Sequence, residues 1–89
     1  MLVALIAKDK NDALQTRLDN RPAHIAYLKD TGGVVSQAGP LLDGETMIGS
    51  LVILDVEDMA AAEAWAANDP YAKAGLFQSV ELIPWKKVI

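Results

Sequence analysis

The chain has 89 residues, 52% hydrophobic and 22% charged, enough for one packed core and too few for two; residues 1–89 read as a single domain and a disordered tail is excluded. Twelve acidic against eight basic residues leave a net charge of −4, which removes the attraction on which nucleic-acid binding rests. With no cysteine, disulfides, thiolate nucleophiles and cysteine-based zinc sites are excluded, and a reducing cytoplasm is the expected location.

From Leu2 to Ala7 every residue is apolar, with Val and Ile among them, which predicts a fully buried strand. The run stops at Lys8, far short of the roughly 18 to 20 residues that cross a bilayer, so no membrane partner is expected. It also lacks the basic flank and cleavage site of an export signal.

Asn11 or Asp12 then opens a short helical turn, with Leu14 and Leu18 as its apolar side and Gln15, Arg17 and Asp19 facing water. Pro22 suits the first position of a helix, which predicts a new segment from there, capped by Asn20 or Arg21. Ile25 and Leu28 give it an apolar side, and Thr31, Gly32 and Gly33 end it.

Val34 to Ala38 reads as a short strand closed by Gly39 and Pro40, with a loop over LLDGETMIG after it. Ser50 to Leu54 is a third strand, apolar on both faces. Asp58 caps a helix from Met59 to about Asn68 with Trp65 as its anchor, and Asp69 and Pro70 start a further helical turn through Ala74. Gln78 to Ile89 is the last strand, and Pro84 within it argues for a sheet edge.

Strand, helix, strand, strand, helix, strand is the split βαβ order of a ferredoxin-like α+β fold: a four-stranded antiparallel sheet with helices on one face. Helices cover only that face, yet LVALIA and LVIL carry no polar residue on either side. A second copy of the chain, sheet against sheet, is the economical cover, so a homodimer is expected.

His24 is the one side chain that ordinarily titrates near neutral pH, so acid–base chemistry would run through it; otherwise it is a solvated helix residue. In the first turn of its helix the dipole would disfavour an imidazolium unless an acid compensates. Asp69, before Pro70, is an ordinary helix cap, though one carboxylate oxygen can hold the turn while the other orients an imidazole and favours its charged form. Arg21 offers a planar fork to an anionic substrate, or is a solvated charge. Tyr71 and Phe77 flank Asp69 and either wall a pocket or pack in the core.

Ser36 and Ser50 have no evident base, so serine-type hydrolysis is not expected. One histidine with scattered carboxylates lacks metal-ligand spacing, and Gly32–Gly33 reads as a helix end rather than a phosphate loop. No cofactor and no metal are expected.

In order along the chain, RPAHIAYLK, VVSQAGPLL, GSLVILDVEDMAAAEAWAANDPYAKAGLF and IPWKKVI resemble the YciI-like (YCII-related) family over essentially the whole length. The resemblance implies a dimeric α+β barrel and an active site built from His24 and Asp69. It implies acid–base chemistry on a small organic molecule, of lyase, isomerase or dehalogenase type; the donor fork of Arg21 and the ring of Tyr71, read from the residues themselves, are the expected substrate contacts. The competing class is a non-catalytic module that binds a metabolite or a protein. A hydrogen-bonded His24–Asp69 pair at a concave pocket favours the enzyme; a histidine in bulk water favours the module.

Overall fold

The computed structural model describes residues 1–89, and its first strand, β1 (Leu2–Asp9), buries Val3, Leu5 and Ala7 on one face while Leu2, Ala4 and Ile6 lie half-buried on the other. That two-sided burial explains why the run carries no alternation. β1 pairs antiparallel with β3 (Thr46–Asp55) on one side and β4 (Phe77–Trp85) on the other, and β2 (Val35–Asp43) extends the sheet beyond β3. The strand order β2-β3-β1-β4 is the ferredoxin-like α+β arrangement expected from the sequence.

Three helices cover one face. Val3, Leu5, Ala7, Val52 and Leu54 of the sheet meet Ala62 and Trp65 of α2 (Met59–Ala67), with Tyr27 and Leu28 of α1 (Leu14–Asp30) packed against them. Complete burial of Leu5 and Leu54 contributes about 1.5–3 kcal/mol apiece. The Tyr27 hydroxyl donates to the Trp65 carbonyl at 2.8 Å, which fixes α1 beside α2.

α1 departs from expectation. It is one continuous helix of 17 residues with Pro22 inside it, not two segments meeting there. Pro22 and Leu18, whose carbonyl loses its intrahelical bond to the proline, both lie on the exposed side, where solvent can take up the free carbonyl. The cap is Ala13, without a side-chain hydrogen bond, because Asn11 and Asp12 (φ +57°) form a turn ahead of the helix. Leu14, Leu18 and Ile25, expected inside, are exposed, and Arg17, expected in water, is buried.

β2 also runs further than expected, through Gly39 and Pro40 to Asp43. Pro40 is tolerated because β2 is an edge strand and needs no donor on its outer side. The anticipated loop shrinks to a hairpin turn at Gly44–Glu45, with Gly44 at φ +61° in the first central position, and β3 begins at Thr46 rather than Ser50. Gly49 lies so close to β1 that a Cβ there would drive into the Ala7 carbonyl oxygen.

The second half follows the sequence closely. Asp58 caps α2 by accepting from the Ala61 amide at 2.8 Å, and Asp69 and Pro70 open α3 (Pro70–Lys73). β4 is an edge strand, as Pro84 indicates, though it ends at Trp85. No helix is long and apolar enough to cross a membrane.

Candidate active site

His24 follows Arg17 by seven positions, two turns of α1, so both project from its inner face toward the sheet. His24 stands in the middle of the helix, not its first turn, and the dipole argument drawn from a helix start at Pro22 lapses with that start. It is 6% exposed, with Nδ1 2.9 Å from Oδ1 of Asp69, itself 1% exposed. A carboxylate can only accept, so the hydrogen of this bond sits on Nδ1, and Nε2 is the ring nitrogen left without a partner in the protein.

Asp69 is also the cap of α3, as the sequence suggests. The expected division of labour between its oxygens is not what occurs, since the same Oδ1 accepts from the Tyr71 amide at 2.9 Å and from His24. Capping therefore aims the carboxylate at the histidine. Tyr71 stacks on the imidazole with ring centroids 3.8 Å apart and planes 17° from parallel. Phe77 meets Tyr71 edge-on at 5.9 Å and buttresses it from outside the cavity.

A second polar cluster adjoins the first. Arg17 Nε and Nη2 donate to the two carboxylate oxygens of Asp9 at 2.7 and 2.9 Å, and Nη2 also donates to Ser50 Oγ at 2.9 Å. The Arg17 guanidinium lies 4.6 Å from the Tyr71 ring centroid, so the two clusters share that ring. In the sequence Arg17 reads as a water-facing residue, Asp9 carries no site signal, and Ser50 lacks an evident base. The signal for Arg17 was its i, i+7 spacing to His24, hidden by the break drawn at Pro22.

Burial works against the Arg17 charge, but the hydrogen bonds and charge of Asp9 more than offset it, and its pKa rises above the ordinary value. Burial also pushes the Tyr71 phenol up; Arg17 and Arg21 oppose that shift, and the phenol stays neutral near pH 7.

The two clusters border one cavity of about 140 Å³, between α1, α3 and the β2–β3 half of the sheet. Arg17, Arg21, His24, Ser50 and Tyr71 supply its polar wall, and Leu28, Met47 and Val52 are among its apolar residues. Arg21, the exposed member, has no acidic side chain within ion-pair distance. Ser36 is exposed on β2 and is not part of the wall. The volume is close to the roughly 150 Å³ that holds a benzene ring in an engineered protein cavity.

The sequence model of the YCII-related domain matches residues 1–86. Protein YciI of Escherichia coli O6:H1 is 42% identical over 98 aligned positions, covering 99% of both chains, and an uncharacterized protein of Haemophilus influenzae is 35% identical over 97 positions with the same coverage. Among solved structures, the 5-chloro-2-hydroxyhydroquinone dehydrochlorinase TftG of Burkholderia phenoliruptrix AC1100, in complex with 2,5-dihydroxybenzoquinone, superposes with a TM-score of 0.88 and 35% identity, covering 97% of this chain and 94% of that one. An antibiotic biosynthesis monooxygenase, 14% identical with a TM-score of 0.59, shares the fold alone.

Proposed function

The chain belongs to the YCII-related family, and on that footing we propose that it is a cofactor-independent, cytoplasmic acid–base enzyme acting on a single-ring organic molecule. The observation that carries this reading is the His24 Nδ1–Asp69 Oδ1 hydrogen bond of 2.9 Å on the wall of a cavity of one-ring size. Asp69 fixes the imidazole tautomer and stabilises the imidazolium, so that Nε2 serves as general base. The buried pair supports the enzyme over the non-catalytic module, for which a solvated histidine would have argued.

The likeness to a dehydrochlorinase points to elimination. A ring hydroxyl gives its proton to Nε2 and its oxygen becomes a carbonyl, while the ring pair it displaces takes a proton from the imidazolium at the chlorine-bearing carbon. The hydroxyl para to that carbonyl then gives its proton to Nε2, its electron pair forms a second C=O bond, the ring double bond shifts onto the chlorine-bearing carbon, the C–Cl bond breaks and chloride leaves with its pair; the imidazolium then returns the proton to water. Arg21 at the mouth and Tyr71 at the wall contact the substrate. The reading includes a homodimer, because Leu2, Ala4, Ile6, Leu51, Ile53 and Ile83 form an apolar surface on the face of the sheet opposite the helices.

Chloride release from 5-chloro-2-hydroxyhydroquinone tests the chemistry. Replacing His24 by Gln is expected to cut the rate by about 100-fold or more with the fold retained, the scale of a lost general base. Full turnover in H24Q refutes the assignment.

A further inference from the structure

The cavity wall presents donors that meet no acceptor in the protein, the Arg21 guanidinium and the Ser50 hydroxyl among them. Ser50 Oγ accepts a hydrogen bond from Arg17 Nη2, and its own hydroxyl hydrogen meets no acceptor in the protein. Ser50 is 3% exposed, and it borders the cavity. A hydroxyl whose lone pair is held by a guanidinium is a stronger donor than a free one, since hydrogen bonds in a chain polarise one another. Asp9 anchors the guanidinium through two hydrogen bonds, so it cannot swing into the cavity to bind the ligand end-on without breaking them.

We infer that Ser50, backed by Arg17, donates its hydroxyl hydrogen to an ionised oxygen of the ligand, so the cavity selects single-ring compounds that carry a phenolate or enolate. The unpaired Arg21 at the mouth adds a second positive charge on the same wall. The apolar side chains of Leu28, Met47 and Val52 suit the uncharged faces of a ring. In placing that oxygen opposite a base the inference rests on the proposed reading of His24: as Nε2 takes the proton of one ring hydroxyl, negative charge spreads through the ring to the oxygens conjugated with it, and Ser50 is a donor fixed to receive it.

Binding is measured by calorimetry with 4-nitrophenol at a pH where it is ionised, and with nitrobenzene as the neutral ring. The wild-type protein is expected to bind the phenolate about 10-fold or more tighter than nitrobenzene, the scale of one hydrogen bond to a charged group. Ser50→Ala is expected to lose about 10-fold for the phenolate while nitrobenzene stays within about 2-fold, and Ser50→Thr, which restores a hydroxyl, to recover the preference. No phenolate preference in the wild-type protein overturns the proposal without recourse to any variant. So does a folded S50A that binds the anion as well as wild type, or a preference that vanishes in Arg21→Gln and persists in S50A. The assay reads binding alone: Ser50-dependent binding without turnover sustains this inference and removes the acid–base reading, whereas His24-dependent turnover with Ser50-independent binding does the reverse.

Discussion

Replacing Asp9 by Leu leaves the Arg17 guanidinium buried without its carboxylate. Side-chain exposures of 3% for Arg17 and 6% for Asp9 place the pair out of reach of screening water. Removing one partner of such a pair costs about 3–5 kcal/mol, because the remaining charge stays desolvated. Ser50 Oγ and the Tyr71 ring continue to face the guanidinium, which puts the expected loss near the lower end, about 3 kcal/mol. Set against about 0.05–0.15 kcal/mol per residue, or about 4–13 kcal/mol for 89 residues, that is a large part of the stability. With a urea slope of about 1.5 kcal/mol/M the midpoint falls by about 2 M at fixed protein concentration. The double variant Asp9→Leu, Arg17→Met removes both charges and is expected to return to within about 1 kcal/mol of wild type, a coupling of at least about 2 kcal/mol. Single variants within about 0.3 M of the wild-type midpoint, or a double variant that loses the sum of the two, would refute the reasoning.

On the open face of the sheet, Leu51 is 38% exposed in the single chain, and Leu51→Lys is expected to convert a dimer of twice 9.5 kDa into a monomer with unchanged circular dichroism; sedimentation showing only monomer in the wild-type protein would remove the dimer. Burial raises the Tyr71 and Tyr27 phenols above their ordinary 10.0, so the folded state holds their protons more tightly than the unfolded one. That contribution is complete below about pH 10 and is lost as pH climbs through the folded-state values. Urea midpoints measured from about pH 8 to 11 should therefore fall in wild type and fall less in Tyr71→Phe/Tyr27→Phe, and equal slopes in the two proteins would contradict the sign.

Elements whose cause lies within a few residues of the effect are legible in the amino-acid order alone. Unbroken apolar runs define β1 and the inner half of β3, Asp58 caps α2 three residues ahead of the amide it binds, and Asp69 before Pro70 opens α3. The element order follows from these, and with it the ferredoxin-like topology. His24 and Asp69 were legible through the family pattern of RPAHIAYLK and the DPY segment, although no local rule joins residues 45 apart. Tertiary structure decided what depends on which side of an element faces the sheet. Hydrophobic spacing in α1 marks Leu14 and Leu18 as its inner side, but the side that packs inward carries Arg17 and His24, because β1 ends in Asp9 and β3 presents Ser50, 33 residues beyond Arg17, to receive the guanidinium. Pro22 breaks a helix only where its lost hydrogen bond cannot be replaced, and solvent exposure at that point is a property of the assembled fold. Strand register, fixed by pairing between segments distant in sequence, brings Ser50 opposite Ala7 and thereby sets the hydroxyl at the edge of the cavity.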